Sequence, residues 1–131
     1  MIEPSSFDAE VREFHAFFER WYSGQADPSE FSRLNVLAGA FTMIDPDGRI
    51  ARVDEVREMV RAAYGRRPIE FTIKNVAVRS DSPVVTYEEW QTASGVATGR
   101  LSTAVMAPAA HLPNGLQWLH LHETWLPDRR P

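Results

Sequence analysis

The feature that most constrains this chain is a change of period at Pro68. Before it, apolar residues recur at spacings of three and four; after it, they alternate with polar ones. Val11, Phe14, Phe18 and Trp21 make one stripe over residues 5–24, and Phe17 and Tyr22 widen it. A helix with so broad an apolar face is expected to be buried over much of its circumference. Ser5 or Ser6 can cap it, Asp8 and Glu10 suit its positive end, and Gly24 ends it. Asp27-Pro28 supplies a cap and a first-turn proline for a short second helix that stops before Gly39. Residues 40–44 read as a short strand halted by the turn Asp45-Pro46-Asp47-Gly48. A third helix opens at Val53 or Asp54; Val53, Val56, Met59, Val60, Ala63 and Tyr64 share one face, and Gly65 and Pro68 close it.

Beyond Pro68 come four β-rich runs, 69–79, 84–92, 98–106 and 116–126. Their separators are Ser80-Asp81-Ser82-Pro83, Ser94-Gly95 and Pro113-Asn114-Gly115, and the tail from Pro127 to Pro131 reads as frayed. Helices followed by a meander predict an α+β domain over residues 1–131, with N-terminal helices packed into a curved, mainly antiparallel sheet and a pocket between them. A chain of 131 residues needs no disulfide or metal staple to hold such a core.

Charge excludes some functions. Fourteen basic residues stand against 18 acidic ones, and the basic residues are scattered apart from Arg66-Arg67 and Arg129-Arg130. That balance argues against nucleic acid or an anionic membrane as partner. With no cysteine there is no disulfide, thiol nucleophile or thiolate metal site. No apolar run approaches the roughly 20 residues of a membrane span or the pattern of a signal peptide, so a cytoplasmic location is expected.

Ser94-Gly95, read as a two-residue hairpin loop, sets a register. Glu89 then faces Arg100, Tyr87 faces Ser102, Gln91 faces Thr98 and Val85 faces Ala104, all on one face of the sheet. The other face pairs Trp90 with Gly99, an aromatic ring covering a glycine. The first face carries a carboxylate, a guanidinium, a phenol and an amide, which suit a pocket or equally a solvated outer surface. In the last run Trp118, His120, His122 and Thr124 share one face and Leu119, Leu121, Glu123 and Trp125 the other. A single bulge near Ala107-Pro108-Ala109-Ala110 would swap them, so either the histidines or Glu123 belong to the pocket.

No nucleophile triad, phosphate-cradling glycine loop or dinucleotide fingerprint is present. His120 and His122 point the same way on a strand, but a metal would need a third ligand such as His15 or His111. A packed pair of neutral histidines is the better reading, and no metal or cofactor is expected. Glu89, Glu123, His120 and Asp45 are candidate proton-transfer groups. Trp21, Phe17, Phe41, Met43 and Tyr64 are candidate cavity walls or plain core.

Several segments together resemble the nuclear transport factor 2-like (cystatin-like) superfamily. They are Phe17-Phe18-Glu19-Arg20-Trp21-Tyr22-Ser23-Gly24, Phe41-Thr42-Met43-Ile44-Asp45-Pro46-Asp47-Gly48, Arg100-Leu101-Ser102-Thr103-Ala104-Val105 and Gly115-Leu116-Gln117-Trp118-Leu119-His120-Leu121-His122-Glu123. Its SnoaL-like branch and the kinase association domain are the most similar parts. The resemblance implies a cone-shaped roll with a mixed sheet, a pocket at the open end, and a homodimer formed through the outer sheet face. It also implies a choice between a small-molecule-binding protein, a cofactor-independent isomerase, dehydratase or cyclase, and an assembly module. On the first two readings Tyr87, Glu89, Arg100 and His122 would orient a small, partly apolar molecule against Trp21, Phe41 and Met43. Glu89, Glu123 or His120 would then move the proton.

Overall fold

The computed structural model describes residues 2–79 and 83–131, so the separator Ser80-Asp81-Ser82 lies outside the described residues. Helix α1 spans Pro4–Tyr22, with Pro4 in its first turn, where a missing N–H costs nothing. The cap position falls on Glu3 and no side chain caps it, so neither Ser5 nor Ser6 has the expected role. A 3-10 helix, Pro28–Val36, follows. Asp27 accepts from the Ser29 amide and the Glu30 carboxylate accepts from the Asp27 amide, a reciprocal cap.

Strand β1 is Leu37–Ile44, and the Asp45 carboxylate then accepts from the amides of Asp47 and Arg49 to fix the turn. That turn reverses the chain into β2, Ile50–Arg52, a strand of three residues too short to carry a period. Helix α2 (Val53–Ala62) buries Val56 and Val60. Strands β3 (Glu70–Val78), β4 (Val84–Ala93), β5 (Val96–Pro108) and β6 (Leu116–Trp125) complete the chain. They form one sheet in the order β2-β1-β6-β5-β4-β3. Only β1 against β6 is parallel, so the sheet is mixed and mostly antiparallel, as expected.

The β4–β5 hairpin has the register read from Ser94-Gly95: Glu89 opposite Arg100, Tyr87 opposite Ser102, Val85 opposite Ala104. Both loop residues have positive φ, 52° and 77°, the twist that a two-residue hairpin requires. On the convex face Trp90 covers Gly99 so closely that a Cβ there would sit 3.0 Å from two of its ring carbons. The tail is tied to the same glycine, contrary to the expected fraying. Leu126 N–H donates to Gly99 O and Gly99 N–H donates to Arg129 O, each at 2.9 Å, and the Arg129 guanidinium lies 5.5 Å from the Trp90 ring centre.

The β5–β6 register decides which end of the last strand faces inward. Arg100 pairs with Trp125, Ser102 with Glu123, Ala104 with Leu121 and Val105 with His120, but Met106 then pairs with Trp118. Leu119 is the extra residue of a bulge, and the bulge flips the strand. Trp118, Leu121 and Glu123 are therefore all buried, while His122 and Thr124 are exposed and His120 is half-buried.

Helix α1 lies in the concave face and buries Phe7, Val11, Phe14, Phe17 and Trp21. A buried carboxylate pins its first half. Glu10, with no exposed surface, accepts from Arg33 Nη2 at 2.7 Å, Trp118 Nε1 at 2.8 Å and Asn114 Nδ2 at 3.0 Å. Three elements distant in sequence are thus held on one helix, and the buried charge is satisfied.

Candidate functional site

Farther along α1 the helix stands clear of the sheet and leaves a cavity of about 450 Å³. Its apolar lining comes from α1 (Phe14, Phe18, Tyr22), β1 (Phe41, Met43), α2 (Val56, Met59, Val60) and β3 (Phe71). The volume lies within the usual range for small-molecule sites, as does a mainly apolar wall with a few polar groups.

Those polar groups come from two adjacent rows of the sheet. One row places Ile73, Glu89, Arg100 and Trp125 side by side; the next places Tyr87, Ser102 and Glu123. Arg100 Nη1 donates to Glu123 Oε1 at 3.1 Å, and Arg100 Nε lies 3.8 Å from Glu89 Oε2. Ser102 Oγ donates to Glu123 Oε2 at 3.2 Å, and Gln91 Nε2 donates to Glu89 Oε2. The Trp125 ring lies against the guanidinium, 4.9 Å from ring centre to Cζ.

From the helix, His15 reaches down to the same cluster. Its Nδ1 is 2.7 Å from Val11 O and its Nε2 is 2.8 Å from Glu89 Oε1. Both neighbours are acceptors, so both ring nitrogens must carry hydrogen and the ring is an imidazolium. Three buried donors have no partner among the described residues: Arg33 Nη1, away from this cluster, and within it the Tyr87 hydroxyl and Arg100 Nε.

The charges follow from this geometry. Burial alone would discharge His15, but the Glu89 carboxylate outweighs it and holds the imidazole above its usual pKa. Burial also disfavours the Glu89 anion, yet His15 and then Arg100 hold that carboxyl below its usual range. Glu123 goes the other way. Burial and the neighbouring Glu89 charge push it up to about 7, only partly offset by Arg100. One carboxylate is therefore fixed as an anion while its neighbour can gain or lose a proton near neutrality, the division of labour that lets a pair of acids perform proton transfer. Burial, then the two carboxylates, outweighs the nearby Ser102 hydroxyl and Arg100 and pushes the Tyr87 phenol well above its usual value, so it stays protonated.

Of the residues singled out from sequence, Tyr87, Glu89, Arg100, Glu123, Phe41 and Met43 line this one cavity. The others, Trp21, Phe17, His120, His122, Asp45 and Tyr64, do not line it. Trp21 is core: its Nε1 donates to Val60 O at 2.6 Å and its ring meets Tyr64 edge-on, away from the cavity. His120 and His122 fall on the convex side because of the bulge, where His120 Nδ1 lies 2.7 Å from Thr42 Oγ1. Their rings are 6.5 Å apart, and no group of three potential metal ligands occurs among the described residues. Asp45 is used up in its turn, and Tyr64 donates to the carbonyls of Gly24 and Ala26 rather than lining the cavity. His15, Arg66 and Arg67 are the cationic lining residues that the sequence did not assign to the site, whereas Gln91 is the amide already placed on the pocket face. His15 had a signal, since 11, 15, 18 and 22 follow helical spacing beside the Phe14 stripe. Its partner Glu89, 74 residues away, had none.

The fold is the nuclear transport factor 2-like cone. An NTF-2-like protein of unknown function from Pseudomonas aeruginosa superposes with a TM-score of 0.82, at 25% identity over 92% of this chain and 98% of the other. The CaMKII hub of S. rosetta gives a TM-score of 0.63 at 17% identity, over 90% of this chain and 95% of the other. In sequence the chain is similar to sucrose-phosphatases 1 and 2 of Nicotiana tabacum, at 26% and 28% identity. Each match covers 89% of this chain but 30% of the relative, so the chain spans less than a third of the length of those proteins. Residues 7–127 match the family described as the sucrose-6-phosphate phosphohydrolase C-terminal region. The chain belongs to that family, built on a nuclear transport factor 2-like fold.

Proposed function

We propose that this protein binds a small, partly apolar molecule in the cavity between α1 and the sheet, and that the cluster at its floor orients the molecule and can exchange a proton with it. The observation that carries this reading is the pair of buried, unpartnered donors, the Tyr87 hydroxyl and Arg100 Nε, on residues that line a cavity of about 450 Å³. A folded protein seldom leaves buried donors unmet, and a binding site is a standard exception. Glu123, with a pKa of about 7, supports general acid–base chemistry of the isomerase, dehydratase or cyclase kind without a cofactor. The relatives' name adds sucrose and its 6-phosphate to the compounds worth testing.

The test is a thermal-shift and calorimetric screen of the full chain against aromatic acids, amides and alcohols, together with sucrose and sucrose 6-phosphate. Each binder is repeated on Tyr87→Phe. Removing a hydroxyl that has no partner should leave stability within about 1 kcal/mol while weakening the binder about fivefold or more. Binding that ignores Tyr87→Phe throughout would reject the cavity floor as the recognition element.

Assembly is a second reading, supported by the convex face. There Leu101 is 45% exposed and Leu119 37% exposed, beside Thr103, His122 and Thr124. A homodimer through this face predicts that Leu101→Glu lowers the mass measured by light scattering; an unchanged mass argues against it. Trp118, fully buried, is not a probe of that face.

A further inference from the structure

The floor of the cavity is asymmetric in its unused hydrogen-bonding capacity. Every carboxylate oxygen is engaged: Glu89 by His15 and Gln91, Glu123 by Arg100 and Ser102. What remains without a hydrogen bond at this floor is Arg100 Nε, which can only donate and lies 3.8 Å from Glu89 Oε2, and the Tyr87 hydroxyl, which can donate. The complement of such a floor is an oxygen that accepts two hydrogen bonds. Two more cations, Arg66 and Arg67, are exposed residues lining the same cavity.

Charge narrows the ligand further. Within the buried floor His15 and Arg100 balance Glu89 and Glu123 when both acids are ionised, so an anion entering there leaves one negative charge in excess among the buried groups, Arg66 and Arg67 being exposed and screened by solvent. The excess vanishes if one acid is protonated. Glu89 is locked as an anion between His15 and Arg100, which leaves Glu123. Glu123 is faced by Arg100 and Ser102 of β5, by Tyr87 and Glu89 of β4, and by His15 and Tyr22 of α1. Of these only His15 is another group that titrates toward neutrality.

Resting on the reading of the cavity as a ligand site, we propose that its ligand is a small apolar acid bound as its anion, whose oxygens accept from Tyr87 and Arg100 while Glu123 takes up one proton from solvent. No covalent step is involved: the ligand keeps its charge, and the proton that neutralises Glu123 is released again when the anion leaves. The walls fix the rest of the ligand as a flat or compact hydrocarbon body, since Phe18, Tyr22, Phe71, Phe41 and Met43 offer it aromatic and thioether surface.

The probe is the matched pair 2-naphthoate and 2-naphthamide, of nearly equal shape, titrated into the full chain at pH 6.5 and pH 8.5, where the acid is ionised throughout. Naphthoate should bind at least about tenfold tighter than the amide at pH 6.5. If the anion needs protonated Glu123, the fall in that population from about pH 7 upward weakens wild-type binding about 20-fold between the two pH values. Glu123→Gln, a permanent mimic of the protonated acid, should bind naphthoate with less than about a twofold change over the same range. Equal or tighter binding of the amide would overturn the anion proposal and leave the cavity reading standing. No binding of either compound would count against both. A 20-fold pH dependence surviving in Glu123→Gln would move the proton to His15 and overturn the role given to Glu123.

Discussion

Replacing Glu123 by Gln should stabilise this protein at pH 8 and do little at pH 5. Glu123 is 3% exposed, and its pKa is raised from 4.5 to about 7 by burial and by Glu89. The folded state therefore binds this proton more tightly than the unfolded chain, and stability falls as pH rises from about 4.5 to about 7. At about 1.4 kcal/mol per pH unit, the loss is about 3 kcal/mol once Glu123 is ionised. Gln removes the titration while keeping an oxygen that can accept from Arg100 Nη1. Two other groups shape the curve. Glu89, held below its usual range, contributes stability that is present above about pH 4.5 and lost in acid. His15, held above 6.5, contributes stability that is full below 6.5 and lost as pH rises through its folded value. The Glu123 charge is among the groups that raise His15, so the difference between wild type and variant reports Glu123 together with its coupling to His15 and Glu89. Urea unfolding at pH 5 and pH 8 should show the gap moving in favour of Glu123→Gln by about 2–3 kcal/mol. A variant less stable than wild type at pH 8, or a gap that does not change with pH, would refute the electrostatic account of the floor.

Two further predictions concern the scaffold. Glu10→Ala leaves Arg33 and the Trp118 indole without their buried acceptor and should cost about 3–5 kcal/mol in urea unfolding, whereas a loss below about 1 kcal/mol would mean the pin is not structural. Gly99→Ala places a methyl 3.0 Å from the Trp90 ring and 3.1 Å from Leu126 Cδ1, which should cost about 1–3 kcal/mol and loosen the tail in hydrogen exchange at the Arg129 end; unchanged protection there would contradict the packing described.

What the sequence disclosed follows the range of the forces involved. The β4–β5 register was legible because Ser94-Gly95 fixes it locally, and with it came the shared face of Tyr87, Glu89 and Arg100. The α1 stripe and the cap at Asp27 were legible for the same reason, though not the return bond from Glu30. The last strand was half legible. Its alternation was visible, but the extra residue at Leu119 answers to β5 across the sheet, and a bulge set by a partner strand leaves no local mark. That is why His120 and His122, which alternation alone places on equal terms with Glu123, lie on the other face. Strand β2 and the contact of Arg129 with Gly99 are likewise imposed by partners distant in sequence. Within the site, the arginine, tyrosine and carboxylates were visible as residue types on one strand face. Their charge states were not, because these depend on a histidine delivered from the helix.

If the cavity is a binding site whose floor is the His15–Glu89–Arg100–Glu123 cluster, an apolar acid should seat there. A crystal structure of the full chain with 2-naphthoate tests it most directly. The naphthalene should lie between α1 and the sheet, with its carboxylate within hydrogen-bond distance of the Tyr87 hydroxyl and Arg100 Nε. A cavity that stays closed to the compound, or a carboxylate bound away from both donors, would contradict it.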